Sequence, residues 1–146
     1  MASVRTGSTQ YGALPYRLSG NSLEILLITS RDRGRWIIPK GWPIAGLTSS
    51  EAAAQEAWEE AGIKGHVSAD SMGAYRYDKR LKDDTIRHCA AEVFAMEVVE
   101  QRDTWPEQHE RRREWFGVEQ AIERVAEPEL RVLMQTLSEQ LMRGNS

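Results

Sequence analysis

Glu56, Glu59 and Glu60 fall three and four residues apart in the stretch EAAAQEAWEEAGI. On a helix that spacing puts them on one face. Like charges so placed repel by roughly a few tenths of a kcal/mol per pair. Near a helix C-terminus the backbone dipole opposes them too. A divalent cation would offset both penalties. Hard cations such as magnesium and manganese prefer carboxylate, carbonyl and water oxygens. A solvated helix face carries the same pattern, so the flanking residues must decide.

Those flanks are informative. Thr48 or Ser49 can cap a helix running to about Ala61, with Glu51 in its first turn and Gly62 just past its end. Ala52, Ala53, Ala54, Ala57 and Ala61 form the opposite face and allow close approach to a sheet. Residues 40–47 are a glycine- and proline-rich loop. In it Gly41 lets backbone carbonyls reach a bound ion or ligand.

Around this helix the pattern is mixed. Tyr11–Leu18 and Ser22–Ser30 read as a hairpin through the turn SGN, with Pro15 suited to an edge or bulge. Short strands are expected at RWIIP and around Glu114–Phe116, and a long one over Arg87–Glu100. Lys79–Asp84 is a hairpin tip. EQAIERV and the stretch from Pro128 read as helices. A tight first hairpin favours a mixed sheet between helices over a purely parallel one.

The chain has 146 residues, which suits one domain spanning 1–146, with residues 1–9 expected as a flexible tail. Apolar residues make up 40% and charged residues 28%, ordinary for a globular protein. The net charge of -3 gives no bias toward nucleic acid or anionic membrane. No apolar run approaches the ~20 residues of a membrane helix. Cys89 is the only cysteine, which fits a reducing compartment. A cytoplasmic address is expected, and the oligomeric state is open.

From Gly41 to Ile63 the chain resembles the signature of the Nudix hydrolases. That signature reads glycine, five residues, glutamate, seven residues, arginine-glutamate, an apolar residue, any residue, two glutamates, any residue, glycine, apolar. The span fits without insertion. Leu47 stands where the signature has glutamate, and Gln55 where it has arginine. Glu51, one turn after Leu47, is the residue placed to substitute for the first. SRDRGRWIIPKGW and RRREWFGVEQAIERV further resemble the diphosphoinositol polyphosphate and diadenosine polyphosphate phosphohydrolase branch.

The resemblance implies an α/β/α sandwich and metal-dependent hydrolysis of a diphosphate linkage. A small polyanionic substrate is implied, of dinucleoside polyphosphate or inositol pyrophosphate type. ADP-ribose, a nucleoside triphosphate and an RNA 5′ end are alternatives. The departures at Leu47 and Gln55 leave a catalytically quiet nucleotide-binding module as a rival. Glu59 and Glu60 become metal ligands, with the Gly41 carbonyl. Glu56 is a third ligand or the base that activates water. The cofactor is Mg2+ or Mn2+. Phosphates call for cations. The candidates are Arg31, Arg35, Lys40, Arg87 and the run Arg111, Arg112, Arg113, with Ser30 beside Arg31 by resemblance. Trp42 could stack on a base or wall the pocket. His88 and Cys89 read as structural, and Tyr75 and Tyr77 as sheet packing.

Overall fold

The computed structural model describes residues 9–143. The expected tail lies outside the described residues except for Thr9, which opens the first strand. In chain order the elements are β1 (Thr9–Ser19), β2 (Ser22–Thr29), β3 (Trp36–Ile37), β4 (Lys40–Gly41), α1 (Ser49–Ala61) and β5 (Ile63–Val67). They continue with β6 (Gly73–Arg80), β7 (Ile86–Gln101), β8 (Arg113–Gly117), α2 (Val118–Arg124) and α3 (Pro128–Arg143).

All eight strands join one mixed sheet. Its path is β3-β2-β1-β7-β5, with β4 on β1, β6 on β7 and β8 on β2. Only β1 and β7 run parallel, from Thr9↔Ala90 to Tyr16↔Glu97. Pro15 therefore lies in a central strand, not at an edge. Its missing N–H is tolerated because the pairing of β1 with β2 begins only at Tyr16↔Ile25.

Both faces of the sheet are covered, which explains the unbroken apolar run in β2. Ile25 and Leu27 point to one side, with Leu14, Val93, Leu130 and Met134. Leu26 and Ile28 point to the other, with Ala13, Phe94 and the α1 alanines 53, 57 and 61. Helices α2 and α3 cover the first face and α1 the second. The result is the expected α/β/α sandwich with a mixed sheet.

The start of α1 follows its sequence. Thr48 accepts from the Glu51 N–H, and the Glu51 carboxylate accepts from the Thr48 N–H at 2.8 Å, a capping box. The end of α1 is held from outside. Gly62, left-handed at φ 70°, donates to the Trp58 carbonyl. The Glu107 N–H donates to the Glu59 carbonyl at 3.0 Å. Trp105 Nε1 donates to the Glu60 carbonyl at 3.1 Å, and Arg113 Nη1 to the Ala61 carbonyl at 2.8 Å. Each last-turn carbonyl, normally an orphan, thus has a donor, three of them from the segment 105–113.

A side chain at position 62 would crowd this cap, since a Cβ there would lie 2.7 Å from Arg113 Nη1 and 2.8 Å from the Trp105 ring. Gly20 has a similar φ of 64° with nothing within 4 Å. Gly62→Ala is expected to destabilise the protein by about 1–3 kcal/mol, and by more than Gly20→Ala in parallel urea denaturation.

Candidate metal centre

The capped end of α1 presents its glutamates to β4. Gly41 sits directly against Glu56: a Cβ added at Gly41 would lie 2.3 Å from the Glu56 carboxyl carbon. Pairing with β1, Tyr11↔Gly41 and Gly12↔Lys40, fixes that loop end. The Lys40 N–H donates to Glu60 Oε1 at 3.3 Å. Glu60 is only 7% exposed. Glu56 and Glu60 share a hydrogen bond.

Electrostatics at the pair favour a bound proton. Burial pushes the Glu60 carboxyl up to about 8, with the Glu56 hydrogen bond and charge adding to the rise and Arg111 and Lys40 opposing it. Burial also raises Glu56, with the charges of Glu59 and Glu107 adding. The two carboxyls titrate as a unit. Burial lowers Lys40, while the charges of Glu60 and Glu127 hold it up.

Glu59 is held by its own helix. Gln55 Nε2 donates to Glu59 Oε2 at 2.7 Å. The neutral amide at position 55 thus orients a carboxylate by an i,i+4 hydrogen bond. Among the described residues no group of three His, Cys, Asp or Glu side chains already converges on one point. The donor set is nonetheless all hard oxygen, and Gly41 leaves its carbonyl beside the Glu56–Glu60 pair. These residues fit magnesium or manganese once Glu59 turns from Gln55.

The other candidates divide. Arg111, with a side chain only 7% exposed, donates from Nε to Glu107 at 2.8 Å and from Nη1 to the Thr29 carbonyl at 3.1 Å. Its Nη2 lies 3.8 Å from Glu60 Oε2. It is the counter-charge of the acidic cluster, not an open phosphate arm. Arg113 also departs from expectation. Its guanidinium is committed to the Ala61 and Arg102 carbonyls and stacks 3.7 Å from the Trp105 ring. Arg112 is exposed and reaches over Trp36 at 5.6 Å. Ser30 accepts from the Arg35 N–H at 3.0 Å and so holds its own turn. Arg31 pairs with Glu110 at 3.0 Å in the open. Trp42 lies beneath two cations, the Arg87 guanidinium at 4.6 Å and Lys79 at 5.8 Å.

Glu51 does not replace the missing glutamate, because the capping box engages it. Leu47 is 40% exposed. Cys89 is buried, and Tyr75 and Tyr77 pack with rings 5.8 Å apart. His88 is exposed and pairs with Asp78 at 2.7 Å. The roles of Trp105 and Glu107 had no signal in the sequence, since irregular loops carry no period. The Gln55–Glu59 bond did have one, its i,i+4 spacing.

Residues 10–137 match the NUDIX domain family. The chain belongs to that family. It is 35% identical over 131 residues to "Nudix hydrolase 13, mitochondrial" of Arabidopsis thaliana, covering 77% of this chain and 64% of that one. It is 34% identical over 102 residues to "Diphosphoinositol polyphosphate phosphohydrolase 3-alpha" of Mus musculus, covering 68% of this chain and 58% of that one. The chain thus spans less than two thirds of each of these relatives. A C. elegans Ap4A hydrolase crystal structure superposes with a TM-score of 0.64 at 21% identity, over 93% of this chain and 99% of that one. The NUDIX domain of Shewanella oneidensis NrtR, complexed with ADP ribose, gives a TM-score of 0.69 at 10% identity, over 94% and 90%. At these identities the likeness is one of fold. Among the described residues no helix is long and apolar enough to cross a membrane.

The Glu60 shift has a sign that can be tested. Its ordinary value is 4.5 and its folded value about 8. Folding therefore favours the protonated acid. That contribution is complete below the ordinary value and is lost as pH rises through the folded one. The melting temperature of the metal-free protein is expected to fall more steeply between about pH 5 and pH 9 than that of Glu60→Gln. Added manganese should raise it most at the alkaline end, as thermal melts at each pH will show.

Proposed function

We propose that the chain is a metal-dependent pyrophosphohydrolase. It would cleave a diphosphate linkage in a small polyanionic substrate of dinucleoside polyphosphate or inositol pyrophosphate type. The supporting observation is the Glu56–Glu60 pair held against Gly41 at the capped end of α1. Bound magnesium or manganese would neutralise phosphate charge and lower the pKa of water. Glu56, Glu60, the Gly41 carbonyl and a reoriented Glu59 would hold it. Glu56, the more exposed of the pair, suits the task of accepting the proton from water. Arg111, with Nη2 at 3.8 Å from Glu60 Oε2, would help to hold that carboxylate.

Substrate phosphates would meet cations at the rim. Arg112 is exposed beside Trp36, and Arg31 has only a surface ion pair to exchange, a contact of small worth. Trp42, flanked by Lys79 and Arg87, offers an aromatic face beside Gly41. A reducing compartment such as the cytoplasm suits the lone buried thiol, while the relatives named mitochondrial make an organelle the competing address.

The test is product release from a panel of diphosphate compounds with magnesium or manganese. The panel includes dinucleoside polyphosphates, inositol pyrophosphates, ADP-ribose and nucleoside triphosphates. Glu56→Gln and Glu60→Gln are each expected to lower kcat by about 100-fold or more, with circular dichroism unchanged. A wild-type rate no greater than that of either variant would end the enzyme reading. Leu47 favours one rival, a nucleotide-binding module without turnover. Tight binding with no product would establish that rival.

Gln55 separates orientation from charge. Gln55→Ala frees Glu59 and should lower kcat at saturating metal. Gln55→Arg keeps a donor and should retain or raise the wild-type rate. An unchanged rate in Gln55→Ala would show that the Glu59 contact is idle.

A further inference from the structure

Position 55 leaves α1 short of a positive charge. The signature carries arginine there, whereas this helix carries Gln55, whose amide donates to Glu59 at 2.7 Å. An amide orients a carboxylate but brings no charge to Glu56, Glu59 and Glu60. No basic residue stands in the last turn of the helix either. A cation that steadies these carboxylates must therefore come from another part of the fold.

Arg111 comes from just ahead of β8, and each of its guanidinium nitrogens faces a protein oxygen. Nε donates to Glu107 Oε1 at 2.8 Å, Nη1 donates to the Thr29 carbonyl at 3.1 Å, and Nη2 lies 3.8 Å from Glu60 Oε2. The root of the side chain is fixed as well. Thr29, the last residue of β2, donates its N–H to the Arg112 carbonyl at 3.0 Å. Its Oγ1 accepts from the Arg112 N–H at 2.8 Å. Thr29 thus clamps residues 111 and 112 from three of its atoms. A planar fork held at root and head presents its charge in one direction. That charge reaches both carboxyls of the buried pair. Burial raises Glu60, and Arg111 is the first influence against that rise, ahead of Lys40. Burial raises Glu56 too, and Arg111 again opposes it. Lys40 holds its ammonium over the Tyr77 ring, 4.6 Å from the centroid.

We propose that Arg111 is a positioning residue that takes over the place left by Gln55, so that the arginine of the metal centre is supplied from beside β2 and β8 instead of from α1. The inference rests on the metal centre of the hydrolase reading. Arg111 acts on Glu60 and through it on the bound cation, and it does not grip substrate phosphate.

Metal binding can be read without turnover, so failure here leaves the hydrolase reading standing. The readout is the affinity for Mn2+ alone, from the electron paramagnetic resonance of the free ion. Were Arg111 only a charge, removing it would tighten binding, because a repelling cation is gone. As a positioning residue, its removal weakens binding. Arg111→Gln is expected to bind Mn2+ about tenfold or more weakly than the wild type. Adding Gln55→Arg to that variant should recover most of the loss, since it returns a guanidinium to the cluster from the helix. A defect confined to packing around Thr29 would not respond to an arginine on α1. On the best-cleaved compound of the panel, kcat should fall and recover in parallel while KM holds. With no turnover on any compound, the Mn2+ affinities still decide. Arg111→Lys keeps the charge without the fork and should also bind Mn2+ more weakly, which serves if the glutamine variant folds poorly. Unchanged or tighter Mn2+ binding in either Arg111 variant overturns the proposal. So does a loss that Gln55→Arg fails to recover, a wild type that binds no Mn2+, or an effect confined to KM, the mark of a phosphate arm.

Discussion

The site depends on how one helix ends. Helix α1 carries Glu56, Glu59 and Glu60 towards its end and no basic residue in its last turn. Its own dipole opposes that arrangement. The structure resolves the conflict from a distant part of the chain. A backbone N–H, an indole and a guanidinium from the segment 105–113 cover the Glu59, Glu60 and Ala61 carbonyls. The same segment supplies Arg111, the cation nearest to Glu60. Capping and charge balance thus come from one loop, so the carboxylates are held by their backbone as much as by their side chains.

This arrangement lets the carboxylates be buried without being fixed in one charge state. A proton shared by Glu56 and Glu60 satisfies them in the absence of a cation. Two cations, Arg111 and Lys40, stand close enough to favour loss of that proton. Gly41 leaves no side chain between the pair and the backbone of β4. Glu59 is stored on Gln55, one turn back along the helix. The carboxylates at this helix end are thus held by a proton, two cations and an amide.

Much of the fold could be read from the residues, because periodicity and turn chemistry are local. The two-faced apolar run of β2, the Thr48 cap and the Gly62 stop all follow from neighbours within a few positions. The signature from Gly41 to Ile63 was legible for the same reason, as spacing along a loop and a helix. The basic run was not. Arg111, Arg112 and Arg113 are adjacent in sequence, yet their guanidinium groups go to the acidic cluster, to Trp36 and to the end of α1. One-dimensional adjacency hides such a split, because a chain entering a strand turns successive side chains to opposite sides. Glu51 was misread for a similar reason. Its spacing from Leu47 is helical, but Leu47 precedes the helix, and the cap had a stronger claim on that carboxylate. Pro15 suggested an edge because the handover of β1 from β2 to β7 involves residues about eighty positions apart, beyond the reach of any local pattern.

That handover has a consequence for how the molecule forms. The first strand cannot pair with β7 until residues 90–97 exist, and the end of α1 cannot be closed until Arg113 does. During synthesis the signature helix emerges long before either partner. Parallel pairing across so much chain is slow, since the entropy of closing the loop must be met first. A ribosome-bound chain that stops short of residue 113 would carry Glu56, Glu59 and Glu60 and still lack the place to hold them.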